Sequence, residues 1–357
     1  MSRKIITILL CSSWVYLLHS QDLKYTIDSL AQSYLQDGSN KGIAIGIIQN
    51  SIPSMHYYGT KSSSSSHLVD KSTLFEIGSV TKLFTAYIFA SLEQKGTLTK
   101  NSLLSNHLPN SLFSSQEWVK KVRLIDLITH TSGLPSFDST KSLEEFEDYD
   151  ENDPYRIFTN DFMLTQLKHI NSLNEYGTLR YSNFGIGLLA MAMENVTDQT
   201  YRELLREHVL NKIGLQETFL SLCESHFFNT AVPHRNGEPQ PLIQLADLES
   251  AGGLKMTLPN LVKFIQHHID PPTENDEELI NNLTRDQLEN EDEQVGLGWG
   301  IFKKNDRTLN FHNGGTYGSS SLVVMDRKHK DAVIILTNST NGQPLVSFAF
   351  EIFDQQN

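Results

Sequence analysis

Cysteine is scarce in this chain of 357 residues, which contains only Cys11 and Cys223. Cys11 lies in an N-terminal segment that we expect to be removed, so the mature chain keeps one cysteine. An exported protein with one cysteine has no intramolecular disulfide, and its stability must come from its hydrophobic core. The composition supplies such a core, since 39% of the residues are hydrophobic and 20% are charged, as in soluble globular proteins.

Positive charge is also deficient. The chain has 29 lysines and arginines against 42 acidic residues, which gives a formal net charge of -13 at pH 7. Because phosphate backbones and anionic lipids attract basic surfaces, this balance argues against nucleic acid or an anionic membrane as a partner. The charge favours solubility, and we expect a monomer.

The prominent apolar run near the N-terminus is short. Residues 5–18 are largely apolar, follow the basic pair Arg3-Lys4 and precede a polar stretch. A basic segment, a short apolar segment and a small residue before a polar stretch are typical of a secretory signal peptide, and the run is too short to span a bilayer comfortably. We therefore expect residues 1–20 to be a signal peptide that is removed after Ser20. Residues 21–357 would then be secreted or periplasmic, with no membrane span.

The sequence contains no Gly-x-Ser-x-Gly motif. This motif forms the nucleophile elbow of α/β-hydrolases, where the serine is exposed on a sharp turn between a strand and a helix. A plain lipase or esterase with a Ser-His-Asp triad is therefore a weak interpretation of this chain.

The acidic residues form no complete metal-binding pattern. In the acidic stretch 144–153, Asp148, Asp150 and Asn152 resemble the start of a calcium-binding loop. However, Asp153 occupies the position that requires glycine and Thr159 the position of the terminal glutamate. Residues 274–293 are also acidic, and His267-His268 has no carboxylate or cysteine at ligand spacing. We interpret both acidic stretches as solvated loops and the histidine pair as surface residues, and we expect no metal.

The hydrophobic pattern divides the chain into strand-rich ends and a largely helical middle. Short apolar or β-branched segments separated by polar turns predict strands, and apolar residues at helical spacing predict helices. The predicted strands are residues 42–48, 54–59, 299–302, 309–312, 319–325 and 332–337, and the predicted terminal helices are residues 23–37 and 344–354. This order predicts an α+β fold, in which an antiparallel sheet built from both termini is flanked by the terminal helices and carries a large helical insert. We place the α/β part at about residues 21–74 and 296–357 and the helical part at about residues 75–295.

The chain is organised around residues 76–90, which predict a turn that opens a buried helix. Gly78 allows the turn, and the residues after Lys82 are apolar almost all round the helix. Ser79 and Lys82 are three residues apart, so they lie on one face of the first helical turn. An amine in a dry pocket can take the proton of a serine hydroxyl, and a serine N–H at a helix N-terminus can stabilise an oxyanion. The motif alone is also compatible with a capped helix that carries a surface lysine.

Tyr181-Ser182-Asn183 provides a second group of reactive side chains and precedes an apolar helix. A phenol close to a cationic lysine can have a lowered pKa, and it can then transfer a proton between nucleophile and leaving group. Asn183 can bond to both a substrate amide and the lysine. The alternative is that these three residues form only a helix N-cap.

The third group, residues 312–316, lies at the end of a predicted strand and has the sequence His-Asn-Gly-Gly-Thr. Glycine here would let an extended substrate pair with the strand edge, and the Gly315 N–H could complete an oxyanion hole. His312 could donate to a substrate carboxylate or to the tyrosine oxygen. The alternative is a glycine turn that joins two strands.

The order of the three motifs, together with three further segments, resembles the serine β-lactamase-like family over nearly all of the mature chain. The nearest branches are the class C β-lactamases and the related, penicillin-binding-protein-like D-alanyl-D-alanine carboxypeptidases and esterases. The further segments are residues 127–135 (LITHTSGLP), 250–254 (SAGGL) and 296–300 (GLGWG). The resemblance implies a chemistry in which an amide, lactam or ester acylates a serine and water then hydrolyses the acyl-enzyme, without a metal or cofactor.

The resemblance also implies roles for individual residues. Ser79 would be the acylated nucleophile, and Lys82 and Tyr181 the proton-transfer pair. The N–H groups of Ser79 and Gly315 would form the oxyanion hole, and Asn183 would contact a substrate amide. The expected substrate-binding residues are Asn183, His312, Asn313 and Gly314.

The third motif departs from the class C pattern. Class C β-lactamases carry Lys-Thr-Gly there, whereas this chain has His312-Asn313-Gly314, which is more like the carboxypeptidase, aminopeptidase and esterase branches. Without a fixed cation, recognition of the β-lactam carboxylate is weakened. The sequence predicts an exported serine hydrolase that acts through an acyl-serine on small peptide-like amides, β-lactams or esters. The alternatives are an esterase of the same family and a catalytically silent, penicillin-binding scaffold protein.

Overall fold

The computed structural model describes residues 22–36, 38–108, 117–136, 146, 149–150, 155–288, 293–304 and 306–355. The expected signal peptide, residues 1–20, lies outside the described residues, as does most of the acidic segment 144–153. Within the described ranges, no helix combines the length and the apolar character needed to cross a membrane.

Strands dominate both ends of the chain and helices dominate the middle. The strands are β1 Gly42–Gln49, β2 Ile52–Ser62, β3 Ser65–Leu68, β4 Leu74–Glu76, β5 Thr218–Phe219, β6 His234–Arg235, β7 Glu238–Pro239, β8 Lys255–Thr257, β9 Gly300–Lys304, β10 Arg307–Gly315, β11 Ser320–Asp326 and β12 Asp331–Thr337. The first helix, α1, spans residues 22–35. The later helices are α2 Thr81–Gln94, α3 Leu124–Ile128, α4 Asn160–Leu167, α5 Asn183–Thr197, α6 Tyr201–Leu205, α7 Asn211–Ile213, α8 Glu224–Phe227, α9 Glu249–Gly252, α10 Leu258–Ile269, α11 Glu274–Thr284 and α12 Gln343–Gln355.

The large sheet joins the two ends of the chain. In the described part of the molecule it has seven strands in the order β3-β2-β1-β12-β11-β10-β9. At its centre β1 pairs antiparallel with β12, and Ile45 lies opposite Ile335. The sequence of β12, Asp-Ala-Val-Ile-Ile-Leu-Thr, is rich in β-branched residues, which suit a pleated strand buried on both faces. The predicted α+β fold with an antiparallel sheet built from both termini is confirmed.

Alternate side chains of the sheet pack into two separate hydrophobic layers, as the period of two in a strand requires. Ile43, Ile45 and Ile47 of β1 pack with apolar residues of α1 and α12, which cover one face. Ala44 and Ile48 of the same strand belong to the larger core formed with the helical region on the other face. The sheet is therefore covered on both sides, and the terminal helices lie where the sequence places them.

Helix α2 runs through the larger core. Every residue from Thr81 to Leu92 is buried, as the nearly uniform apolar sequence predicts. The helix contacts α9 and α11, and the ring of Phe84 stacks on that of Phe264 in α10 with centroids 4.0 Å apart. The turn Gly78–Val80 before α2 contacts β10 and β11. The N-terminus of this helix therefore meets the sheet.

Two sequence-based interpretations are wrong. Residues 274–284 form helix α11 instead of a solvated loop, because Thr273 caps the helix and its apolar side chains are buried. His268 is buried instead of lying on the surface. Its Nδ1 donates to the carbonyl of Phe264 at 2.9 Å, and its ring contacts the rings of Phe264 and Trp299.

Candidate active site

Ser79 lies in a tight turn between strand β4 and helix α2. The turn spans Gly78–Val80, and α2 follows it without a break. Gly78 has a φ of 49°, in the left-handed region that glycine adopts without steric cost. A Cβ atom on Gly78 would lie 2.7 Å from the backbone N of Gly315. The close approach between this turn and β10 therefore requires glycine.

A second glycine, Gly314 in strand β10, lies against the backbone of this turn. A Cβ atom on Gly314 would lie 2.9 Å from the backbone N of Ser79 and would also clash with the Ile77 carbonyl. The hydroxyl of Ser321 in β11 donates to the same carbonyl at 2.7 Å. These contacts place the backbone of Ser79 beside that of residues 314–315 at the start of α2. Two backbone N–H groups in such a position can serve as an oxyanion hole.

Lys82 is completely buried one turn after Ser79. Its Nζ donates to Ser79 Oγ at 3.0 Å and to the carbonyl of Ala251 at 2.5 Å. Burial lowers the pKa of Lys82 well below its usual value of 10.5, because the ammonium group loses its hydration. A neutral amine beside a hydroxyl has the lone pair that a general base needs.

The phenol of Tyr181 is the second group on the Ser79 hydroxyl. Tyr181 OH donates to Ser79 Oγ at 2.6 Å, and Lys82 Nζ lies 4.9 Å from the centroid of the tyrosine ring. The side chain is 46% exposed, but its hydroxyl is turned inward to Ser79. Burial raises the pKa of Tyr181 to about 12, although the bond to Ser79 acts in the opposite direction. The expected lowering of this pKa is therefore wrong, because burial outweighs the effect of neighbouring polar groups.

The helix-cap interpretation of the Tyr181 motif is confirmed, whereas Lys82 bonds to Ser79 and Ala251 and not to Asn183. Ser182 is the N-cap of α5, and its Oγ accepts from the Gly185 N–H at 3.0 Å. The cap fixes the start of α5 and so places Tyr181, one residue earlier, beside Ser79. Asn183 is the half-buried first residue of α5. Its side chain makes no hydrogen bond to any other described residue, so its amide is available to a ligand.

His312 has a different partner from the one expected. Its Nδ1 donates to the carbonyl of Gly298 at 2.7 Å, which leaves Nε2 as the acceptor nitrogen. Burial, and to a smaller extent Lys82, lowers the pKa of His312 to about 3. The imidazole is therefore neutral at pH 7 and does not replace the positive charge of a lysine at this position.

Two residues that support the site, His130 and Ala251, lie outside the three motifs. The Nδ1 atom of His130 accepts from the Ser182 N–H at 3.2 Å, and its ring centroid lies 4.5 Å from that of Tyr181. Ala251 supplies the carbonyl that holds Lys82. Both residues lie in segments that the sequence shows to be similar to family segments. Their roles depend on contacts with residues far away in the chain, which no local pattern shows.

A small apolar cavity of about 190 Å³ lies beside the tyrosine. Tyr181 and His312 form part of its wall, and Leu179, Trp299 and Phe311 contribute apolar surface. Among the described residues that line it, none is a lysine or an arginine. The cavity suits an uncharged, partly apolar group.

The fold and the site together define a class of protein. It is an α+β protein in which a serine at the start of a buried helix is hydrogen-bonded to a lysine and a tyrosine. The family model described as Beta-lactamase matches residues 27–353, and the chain belongs to this family, whose members are serine hydrolases.

The relatives are distant. Protein flp from Staphylococcus aureus (strain MW2) is 25% identical over 333 residues, which cover 89% of this chain and 64% of that protein. A beta-lactamase from Yersinia enterocolitica is 28% identical over 274 residues, which cover 73% of this chain and 64% of that protein. This chain therefore spans 64% of the length of these curated relatives.

A solved structure has the same fold. The class C beta lactamase from Rhodobacter sphaeroides superposes with a TM-score of 0.79, covering 92% of this chain and 98% of that chain. Its sequence is only 17% identical to this one, so the similarity shows the shared fold and no more.

Proposed function

We propose that this protein is an exported serine hydrolase in which Ser79 forms an acyl-enzyme with small amides, lactams or esters. One observation carries the proposal: the Ser79 hydroxyl accepts hydrogen bonds from both Lys82 Nζ and Tyr181 OH, at 3.0 and 2.6 Å. A serine held between an amine and a phenol can lose its proton as it attacks. The exported location is inferred from the basic and apolar pattern of residues 1–20.

In the proposed acylation, Ser79 Oγ attacks the carbonyl carbon of the substrate and Lys82, whose pKa is lowered by burial, accepts the serine proton. Tyr181 has a pKa of about 12, so at neutral pH it is protonated and donates its proton to the leaving group. Lys82 then returns a proton to the phenolate. The N–H groups of Ser79 and Gly315 stabilise the negative oxygen. Water attacks the acyl-serine in the second step and restores the hydroxyl.

Strand β10 has a free edge where the substrate would lie. β9 pairs with β10 only as far as Phe311, whereas β11 pairs with it as far as Gly315. Residues 312–315 therefore have one edge without a strand partner in the described structure, and an extended substrate can pair there. We assign substrate binding to His312, Asn313 and Gly314 on this edge and to the available amide of Asn183.

The neutral lining of the cavity favours uncharged substrates. His312 is unprotonated at pH 7, and the described cavity wall contains no lysine or arginine. A carboxylate placed there would lose hydration without gaining an ion pair. We therefore favour esters or uncharged amides over β-lactams as substrates. An esterase is accordingly the second candidate function, after the general amide, lactam or ester hydrolase. A silent scaffold is disfavoured, because Lys82 and Tyr181 both form hydrogen bonds with the Ser79 hydroxyl.

The serine assignment is tested by labelling the protein with a fluorescent penicillin and a fluorophosphonate. We expect the wild type to be labelled and Ser79→Ala to lose all labelling, because no acyl bond can form. Ser347→Ala is the matched control, since this serine is exposed on α12, and it should be labelled normally. Undiminished labelling of Ser79→Ala would end the assignment.

Substrate preference is tested by comparing kcat/KM for a p-nitrophenyl ester and for nitrocefin. We expect the wild type to prefer the ester, because the described cavity wall contains no lysine or arginine to pair with the β-lactam carboxylate. His312→Lys should raise kcat/KM for nitrocefin by about tenfold, the equivalent of one ion pair of about 1.4 kcal/mol. Mass spectrometry should detect the acyl-enzyme with either substrate. An absence of turnover with both substrates would favour the scaffold.

A further inference from the structure

A buried carboxylate lies three residues before Ser79. Glu76, the last residue of β4, is 1% exposed and does not contact the Ser79 hydroxyl. Its Oε2 accepts from the hydroxyl of Thr316 at 2.6 Å, and its Oε1 accepts from the N–H of Ile243 at 2.5 Å. A buried carboxylate is costly unless it is fully bonded, so its presence beside the nucleophile needs a specific reason.

Thr316 is the residue after Gly315 and closes the turn between β10 and β11. Its N–H donates to the carbonyl of Ser319 at 3.0 Å, and its Oγ accepts from the Ser319 N–H at 3.1 Å. The carboxylate of Glu76 therefore holds a turn that begins directly after one of the two N–H groups of the site. Along the chain, only two residues separate Glu76 from Ser79.

Lys255 lies opposite Glu76 and binds the same backbone segment. Glu76 and Lys255 are directly opposite each other in the β4–β8 pair, and Lys255 is 5% exposed. Lys255 Nζ donates to the carbonyls of Ile243 and Gly253 at 2.9 and 3.0 Å. Since Glu76 accepts from the N–H of Ile243, the side chains of Glu76 and Lys255 hold both polar backbone groups of this residue. Glu76 therefore has little freedom to move.

We propose that Glu76 and Thr316 are positioning residues that set the spacing between the Ser79 and Gly315 N–H groups. One carboxylate joins the segment that leads into Ser79 to the turn that leaves Gly315. Gly315 has no side chain with which to anchor its own peptide, so its placement depends on its neighbours. The inference rests on the proposed acyl-Ser79 function and adds residues that never touch the substrate.

The test compares Thr316→Val, which removes the hydroxyl, with Thr316→Ser, which keeps it. We expect kcat/KM for a p-nitrophenyl ester to fall by about 10- to 100-fold in the valine variant, as small misplacements of catalytic groups do. Affinity for a phenylboronic acid should fall in parallel, because its tetrahedral adduct with serine places an oxygen in the hole. Thr316→Ser should restore both quantities to within about threefold.

Thr337→Val is the matched control. Thr337 is also buried, and its hydroxyl donates to the carbonyl of Gly42 at 2.8 Å within the sheet. The control should lose stability to a similar extent but keep kcat/KM. If Thr316→Val does not fold, Thr316→Ala removes the same hydroxyl with less crowding.

Three outcomes would overturn the inference: normal kcat/KM in the folded valine or alanine variant, an equal loss in Thr337→Val, or no recovery in Thr316→Ser. Retained turnover in Ser79→Ala would instead refute the acyl-serine proposal itself, so the two failures are distinguishable.

Discussion

Lys82 shows how the burial that lowers the pKa of an amine also reduces stability. Burial lowers its pKa in the folded protein, whereas the unfolded chain has the usual value of 10.5. Between these two pKa values the unfolded state binds more protons than the folded state, so stability rises with pH across this range. At pH values below the folded-state pKa, Lys82 is charged in both states, and the whole free-energy cost of burying the charge remains. Lys82 therefore opposes folding at neutral pH.

Replacing this lysine should separate activity from stability. We expect Lys82→Met to lower kcat/KM by about 10²- to 10⁴-fold, because the proposed general base is lost. The free energy of unfolding at pH 7 should rise by about 1 kcal/mol, and its increase toward alkaline pH should become smaller. Urea denaturation at several pH values measures both effects. Lys263→Met, at an exposed lysine of α10, should change neither, and a destabilised Lys82→Met would contradict the prediction.

At the scale of elements, the site depends on one contact between the Gly78–Val80 turn and strand β10. The contact is made by backbone atoms. The two backbones lie so close together that a side chain at Gly78 or Gly314 would clash. The cap at Ser182 starts α5 and places Tyr181 beside this contact. Three elements from distant parts of the chain therefore meet at the N-terminus of α2.

Gly78→Ala should disable this contact. The substitution carries the cost of a left-handed alanine, about 1–2 kcal/mol, and forces the turn away from Gly315. Gly96 is the matched control, since its φ of 74° is also positive but nothing lies within 4 Å of its added Cβ. We expect thermal unfolding to show at least as large a loss of stability for Gly78→Ala as for Gly96→Ala, and a loss of about 10²-fold in kcat/KM for Gly78→Ala alone. Equal activities would show that the close contact is unimportant.

At the scale of the molecule, the two ends of the chain close one face of the sheet. Helices α1 and α12 pack on Ile43, Ile45 and Ile335 of the central strands. The proposed site lies on the opposite face, where α2 belongs to the larger core. The sheet thus separates the residues that stabilise its outer layer from those that contact Ser79.

A pair of substitutions in α12 tests this separation. Ile352 is 0% exposed and Val346 of the same helix is 46% exposed. We expect Ile352→Ala to reduce the free energy of unfolding by about 2–5 kcal/mol and Val346→Ala to change it by less than about 0.5 kcal/mol. Activity per folded molecule should stay unchanged in both. Loss of activity in folded Ile352→Ala would show that the two faces are coupled.

Much of the fold is encoded locally. The pattern of β-branched and apolar residues predicts β1 at residues 42–48, against Gly42–Gln49 in the structure, and the last helix at residues 344–354, against Gln343–Gln355. These predictions succeed because strand and helix periodicities appear within a few residues of sequence. The spacing of Ser79 and Lys82 is local in the same sense, since one helical turn brings them together.

The sequence by itself determined the strands, the terminal helices and the three reactive motifs of this protein. Only the tertiary structure decided the burial of His268, the raised pKa of Tyr181, the bond from His312 to Gly298 and the carboxylate of Glu76 beside Thr316. The physical reason is that periodicity is a property of neighbours in the chain. Desolvation and hydrogen bonding depend on the residues that packing brings together from distant segments.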